Sequence, residues 1–157
     1  MVKQMQGERN YHIFYQLLAS DPECKKSTKL DTTEAVDHAY TNQSGITNIP
    51  GVSDEKEMQD MVNAMEVMGI DKGGQQLVFQ ATAGVLFMGD IEFVVDTKAT
   101  EEDGARIKNN ESLKKGAALW GVPLEKLEKS LLTRKVGFDC VVCYNVLQAG
   151  DARDALA

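Results

Sequence analysis

Apolar residues recur every three or four positions over most of the chain, which is the spacing of an amphipathic helix. The spacing predicts helices at residues 8–19, 53–68, 74–88, 111–120 and 123–132. Ser53 is a suitable N-cap for the second of these helices, and Gly69 and Gly121 are suitable stops. The pattern therefore predicts a mainly helical protein.

The period changes to two in a few short stretches. Residues 91–95, "IEFVV", are rich in β-branched side chains and predict a strand. Apolar residues at every second position from Val136 to Val146 predict a hairpin-like extended segment. Residues 96–109 are charged and predict irregular structure, whereas "GDARDALA", 150–157, predicts the start of a helix.

Methionines form a stripe along the helix predicted at 53–68. Met58, Met61, Met65 and Met68 follow one another at helical spacing, with Val62 beside them. The stripe is compatible with a core-facing helix or with an adaptable binding groove, and the sequence favours the core.

Composition narrows the functional classes. The 157 residues suit one domain, and 24 acidic against 17 basic residues give a net charge of -7, which argues against general nucleic-acid binding. No stretch approaches the length of a membrane span, and residues 1–11 have no apolar core of a signal peptide. Three cysteines, an odd number, favour a reduced intracellular compartment.

Motifs of a catalytic or metal site are absent from the sequence. No phosphate loop, G-x-G-x-x-G, H-E-x-x-H or G-x-S-x-G occurs. Cys140 and Cys143 form a lone C-x-x-C, without the second ligand pair of a zinc site. The sequence favours the interpretation that these two cysteines are packing residues of an extended segment over the interpretation that they form a redox pair. We therefore predict no catalytic residue and no metal site in these residues.

The order of several segments resembles the myosin motor domain. They are "GERNYHIFYQLL", "AYTNQSG", "IPGVSDEKEM", "AMEVMGI", "GDIEF", "LWGVPLEKLEKSLLTRKV" and "ARDALA". The resemblance covers essentially the whole chain and implies a fragment of a myosin heavy chain, the upper 50 kDa subdomain between switch I and switch II. The implied fold is mainly α with a few short strands, part of a P-loop NTPase-type motor and incomplete at both ends. Residues 1–6 would end a transducer strand, and 149–157 would start a long helix.

The resemblance also implies an activity for the complete protein. It would be a cytoplasmic, ATP-driven motor on the actin cytoskeleton, an ATPase using ATP and Mg²⁺. The phosphate loop, switch I and switch II would lie outside these residues, so the fragment alone should bind no cofactor and be inactive. Its partners would be filamentous actin and the rest of the heavy chain, with no nucleic acid and no transmembrane segment.

Two stretches correspond by this resemblance to actin-facing loops: residues 96–109 to loop 4, and residues 134–147 to the cardiomyopathy loop. The implied actin-contacting residues are Lys98, Glu101, Glu102, Arg106, Lys108, Arg134, Lys135 and Asp139. Asp139 lies one residue closer to Asp154 than the family's acidic or phosphorylatable residue, and would supply a constitutive negative charge. "CVVCYNV", 140–146, is more apolar than the family's loop.

Two alternatives remain open from the sequence. The chain could be a non-enzymatic, myosin-derived helical module that binds actin or another protein. The chain could also be a redox protein that uses Cys140 and Cys143, which is the least favoured of the three interpretations.

Overall fold

The computed structural model describes residues 3–97, 104–137 and 140–157. The described part is mainly helical with two small antiparallel sheets. Its helices are α1 His12–Leu18, α2 Pro22–Ser27, α3 Asp54–Val67, α4 Lys72–Gly89, α5 Asn110–Trp120, α6 Leu124–Leu132 and α7 Val146–Leu156, with a 3-10 helix at Ala35–Asp37. Its strands are β1 Phe93–Val95, β2 Ala105–Ile107, β3 Thr133–Val136 and β4 Cys140–Cys143. The chain divides into two compact units, Met1–Leu86 and Phe87–Ala157.

The N-terminal unit, Met1–Leu86, is organised around α1. Phe14, Tyr15, Leu17 and Leu18 are buried, and α1 packs against α2 and α3. The Tyr15 hydroxyl donates to the carbonyl oxygen of Thr41 at 3.2 Å and accepts from the backbone N–H of Asn10. These bonds fix the loop after the 3-10 helix against α1.

An ion pair joins the segment before α1 to the start of α3. Nη2 of Arg9 lies 2.8 Å from Oδ1 of Asp54, and the guanidinium carbon is 3.8 Å from the centre of the Tyr15 ring. Only 3% of the Arg9 side chain is exposed. The N-terminal unit therefore buries a full positive charge, which requires the carboxylate beside it.

The C-terminal unit, Phe87–Ala157, has a core formed by the last turn of α4, by α5 and α6, and by the hairpin of β1 and β2 with the residue that leads into it. Its buried members are Met88, Ile91, Ile107, Leu113, Ala117, Leu127 and Leu131. Gly121 ends α5 with a φ of 65°, and Pro123 caps α6. The short turn between these helices lets α5 and α6 pack against each other, and α6 also contacts α7.

Helix boundaries agree with the sequence predictions where a local cap defines them. The Ser53 side chain accepts from the backbone of Lys56 at the start of α3, and Gly121 adopts the left-handed conformation after α5. The methionine stripe is only partly a core stripe: Met58 is buried, Met61 and Met65 are half-buried, and Met68 is 69% exposed.

Two sequence predictions are wrong in detail. The stretch 96–109, predicted irregular, contains β2, which pairs with β1 through Phe93–Ile107, Val94–Arg106 and Val95–Ala105. The extended segment ends at Cys143, because Asn145 and Gln148 form a capping box and α7 begins at Val146. Gly150 consequently lies inside a helix that starts before it.

Candidate functional site

The predicted actin-contacting residues fall in the C-terminal unit. Lys98, Glu101, Glu102 and Asp139 lie outside the described residues, so their positions remain predictions. Arg106 and Lys108 lie on or beside β2, and Arg134 and Lys135 lie on β3. All four of these described side chains are exposed.

The first hairpin, β1–β2, presents one arginine and one ion-paired lysine. Arg106 is opposite Val94 in the ladder. Lys108 follows β2, and its Nζ lies 2.6 Å from Oε2 of Glu92 just before β1. Both side chains of this pair are more than half exposed, so it adds little to stability, but it offsets the charge of Lys108.

The second hairpin, β3–β4, exposes both faces. Arg134 is opposite Val142 and Lys135 is opposite Val141. Successive residues of a strand point to opposite sides, so these two cations lie on different faces of the ribbon. Val136 and Val141 are 45% and 44% exposed. The hairpin is therefore a basic and apolar ribbon that buries little of its own surface.

Backbone hydrogen bonds join the bases of the two hairpins. The N–H of Ala105, the first residue of β2, donates to the carbonyl oxygen of Tyr144 at 2.8 Å. Tyr144 in turn donates its N–H to the carbonyl oxygen of Leu132 at 2.8 Å. The two hairpins thus share one base, which we call the hairpin platform (β1, β2, β3, β4 and Tyr144).

Arg153 on α7 adds a side-chain connection to the same platform. Its Nη1 donates to the carbonyl oxygens of Gly89 at 3.3 Å and Ile91 at 3.0 Å. Its Nη2 lies 2.7 Å from Oδ1 of Asp154. Because α7 follows β4 and Ile91 precedes β1, this guanidinium connects the outgoing end of one hairpin with the incoming end of the other.

Sequence reasoning missed these supporting residues. Glu92 and Lys108 would have been recognised as cross-strand neighbours had β2 been predicted. Arg153 belongs to the "ARDALA" segment, but its partners are backbone carbonyls distant in sequence, and no local pattern reports those.

The cysteines do not form a paired redox site. Cys140 and Cys143 are three positions apart on β4, so their side chains point to opposite faces of the ribbon. Both are free and exposed. Cys24, on α2, is half-buried, and burial raises the pKa of its thiol, an effect that a hydrogen bond with Ser20 partly offsets.

The described residues offer neither a metal site nor a membrane-spanning helix. No group of three or more His, Cys, Asp or Glu side chains there is arranged to hold a metal ion. None of the helices found there combines the length and apolar character needed to cross a bilayer.

Comparison with known proteins gives a consistent result over the whole chain. Residues 1–157 match the family of the myosin head (motor domain). The chain is 36% identical to the Myosin-J heavy chain of Dictyostelium discoideum over 162 residues, 100% of this chain and 7% of that protein. It is 37% identical to the Myosin-I heavy chain of the same organism, over 98% of this chain and 7% of that protein.

A mammalian relative agrees. The chain is 35% identical to the unconventional myosin-Ia of Rattus norvegicus over 161 residues, 100% of this chain and 19% of that protein. The chain thus spans between 7% and 19% of the length of these relatives. The family match over the full chain and the collinear segments agree, and the chain belongs to the myosin head (motor domain) family.

Proposed function

We propose that the chain is part of an ATP-driven, actin-based motor and that the hairpin platform contacts filamentous actin. The observation that carries this proposal is the β3–β4 ribbon, which exposes Arg134 and Lys135 on opposite faces together with two exposed valines. Exposed cations favour association with an acidic protein surface.

The four described cations of the two hairpins should contribute unequally to actin binding. Lys108 is already paired with Glu92, whereas Arg106, Arg134 and Lys135 form no ion pair with another described residue. We therefore expect the three unpaired cations to contribute more to actin association than Lys108. Lys98, Glu101, Glu102 and Asp139 belong to the same proposal through their places beside the hairpins in the sequence.

The subdomain assignment is part of the proposal as well. Residues 96–109 act as loop 4 and residues 134–147 as the cardiomyopathy loop of the upper 50 kDa subdomain in a P-loop NTPase-type motor. ATP and Mg²⁺ are bound by other parts of the heavy chain. The fragment alone is inactive, and the complete protein works on the actin cytoskeleton in the cytoplasm. Binding of nucleotide elsewhere changes the position of the platform relative to actin, a coupling between two distant sites.

Co-sedimentation of the complete motor with filamentous actin tests the proposal. We expect tight binding without nucleotide, release by ATP, and at least about tenfold weaker nucleotide-free binding, which is ~1.4 kcal/mol, for the double variant Arg134→Glu, Lys135→Glu. The matched control is Lys26→Glu, Lys126→Glu, which reverses two exposed lysines on α2 and α6. Equal loss of binding in both variants would overturn the assignment of the contact to the ribbon.

The nucleotide response separates the motor from the non-enzymatic alternative. A motor releases actin when ATP binds, whereas a myosin-derived binding module holds actin equally well with and without ATP. Binding that ignores ATP would therefore favour the module, and an absence of actin binding would contradict both.

A further inference from the structure

A groove of about 760 Å³ lies between α2, α3 and α4, entirely within the N-terminal unit. Its floor includes the side chains of Met58 and Phe79, which are 5% and 6% exposed, with the half-buried Val62 beside them. Gln80 on α4 donates through Nε2 to the carbonyl oxygen of Ser27 at the end of α2, at 3.4 Å. The groove is therefore a feature of one packed unit, with the apolar side chains of Met58, Val62 and Phe79 at its base and mostly polar or charged residues around them.

The rim of this groove is acidic. Four carboxylates line it, and two lysines accompany them: Asp21, Glu23, Glu55 and Glu66, with Lys56 and Lys72. Asp21 is used locally, since its Oδ1 caps α2 by accepting from the backbone of Glu23 and Cys24. Glu23, Glu55 and Glu66 form no ion pair with another described residue. Three rim carboxylates are thus available to a cationic partner.

We propose that this groove is a docking site for a basic amphipathic helix of a partner protein. Such a helix inserts the side chains of its apolar face between α2 and α4, and its lysines or arginines meet the carboxylates on the rim. A volume of 760 Å³ accommodates a few large side chains rather than a whole helix, which agrees with insertion of one face only.

One methionine of the stripe, Met58, fits this role. Met58 lies on the floor of the groove, and an unbranched thioether side chain adapts its shape to the residue that packs on it. The sequence left open an adaptable groove as the second reading of the stripe. In the structure, Met58 agrees with both interpretations, because it is buried in the N-terminal unit and also lines the groove. A basic partner would bind this acidic groove, whereas the basic hairpin platform would bind an acidic partner.

Cys24 on the groove wall provides a site-specific readout. The probe is a synthetic helical peptide with leucine at positions i, i+4 and i+7 and lysine on the remaining face, added to the complete motor. Alkylation of each cysteine with a maleimide is followed by peptide-resolved mass spectrometry. We expect the peptide to slow alkylation of Cys24 at least about fivefold and that of the exposed Cys140 and Cys143 less than twofold, since only bound peptide excludes reagent from the wall.

Charge reversal tests whether the rim selects the partner. The variant Glu55→Lys, Glu66→Lys should weaken peptide binding, measured by fluorescence anisotropy, at least about tenfold. The matched control, Glu57→Lys, Asp60→Lys, makes the same charge change on exposed residues of α3 that do not line the groove. A circular dichroism spectrum of each variant shows whether it is folded.

Three results would overturn the proposal. The first is a peptide with glutamates in place of lysines that protects Cys24 equally well. The second is an equal loss of binding in the rim variant and in the control variant. The third is an absence of selective Cys24 protection at peptide concentrations that saturate any other binding.

Discussion

Arg153 donates through Nη1 to the carbonyl oxygen of Ile91 at 3.0 Å. The same nitrogen reaches the carbonyl oxygen of Gly89, the last residue of α4, at 3.3 Å. The final carbonyls of a helix have no partner within it, so this arginine satisfies an acceptor that α4 leaves open. The contact also connects α7 with the segment that leads into β1, and therefore with the hairpin platform.

Replacing Arg153 should destabilise the C-terminal unit. Arg153→Met keeps much of the side-chain length but leaves both carbonyls without this donor, and we expect a loss of about 2 kcal/mol in the free energy of unfolding. Urea denaturation followed by circular dichroism measures it. Arg106→Met, which removes an exposed arginine from β2, is the control and should change stability by less than about 0.5 kcal/mol. Equal effects would contradict the role given to Arg153.

Two glycines should respond to alanine in opposite directions. A Cβ would meet nothing within 4 Å at either Gly121 or Gly150. Gly121 has a φ of 65°, so Gly121→Ala should cost about 1 kcal/mol of stability. Gly150 lies inside α7 without a positive φ, so Gly150→Ala should add about 0.5–1 kcal/mol. Thermal unfolding of both variants tests this, and a destabilised Gly150→Ala would contradict the position of that glycine within the helix.

The buried Arg9–Asp54 pair should be asymmetric. Asp54→Ala leaves a guanidinium that is 97% buried without its anion, and should cost about 3 kcal/mol. Arg9→Met should cost less, about 1–2 kcal/mol, because Asp54 keeps a favourable place in the first turn of α3 and the thioether can pack on Tyr15. Chemical denaturation of the two variants gives the comparison. A larger loss for Arg9→Met than for Asp54→Ala would contradict this asymmetry.

Cys24 should be the slowest of the three cysteines to react near neutral pH. Burial raises the pKa of Cys24, so at a given pH less of it is thiolate, the reactive form. We expect alkylation of the half-buried Cys24 at pH 7 to be slower than that of the exposed Cys140 and Cys143, and to accelerate as the pH rises and its thiol ionises. Peptide-resolved mass spectrometry measures each rate from pH 6 to pH 10. A Cys24 that reacts first at pH 7 would contradict the burial.

Helices with local boundary signals were the predictable part of the fold. Ser53 at the start of α3 and Gly121 at the end of α5 act through neighbouring backbone atoms, so the sequence nearby contains the necessary information. α7 was placed too late because the period-two pattern through Tyr144 and Val146 was extended across the capping box of Asn145 and Gln148. At this point the capping box, and not the alternation of apolar residues, determines where the helix begins.

β2 was missed because its stability comes from distant residues. Of its three residues, Ile107 alone is buried, and charged residues surround it in the sequence. The strand exists through its pairing with β1 and the hydrogen bond from Ala105 to Tyr144, and neither is visible in a local window. The candidate site shows the same limit: the family resemblance supplied Lys108, but not the Glu92 that offsets its charge.

Protection of Cys140 and Cys143 by actin is the most direct test of the platform as the contact surface. Both thiols are free and exposed on β4, whereas Cys24 lies on α2 in the N-terminal unit and serves as the internal reference. In the complete motor without nucleotide, filamentous actin should slow maleimide alkylation of at least one β4 cysteine about fivefold or more, leave Cys24 unchanged, and lose this effect when ATP is added. Unchanged alkylation of both β4 cysteines in a complex that demonstrably contains actin would contradict the assignment.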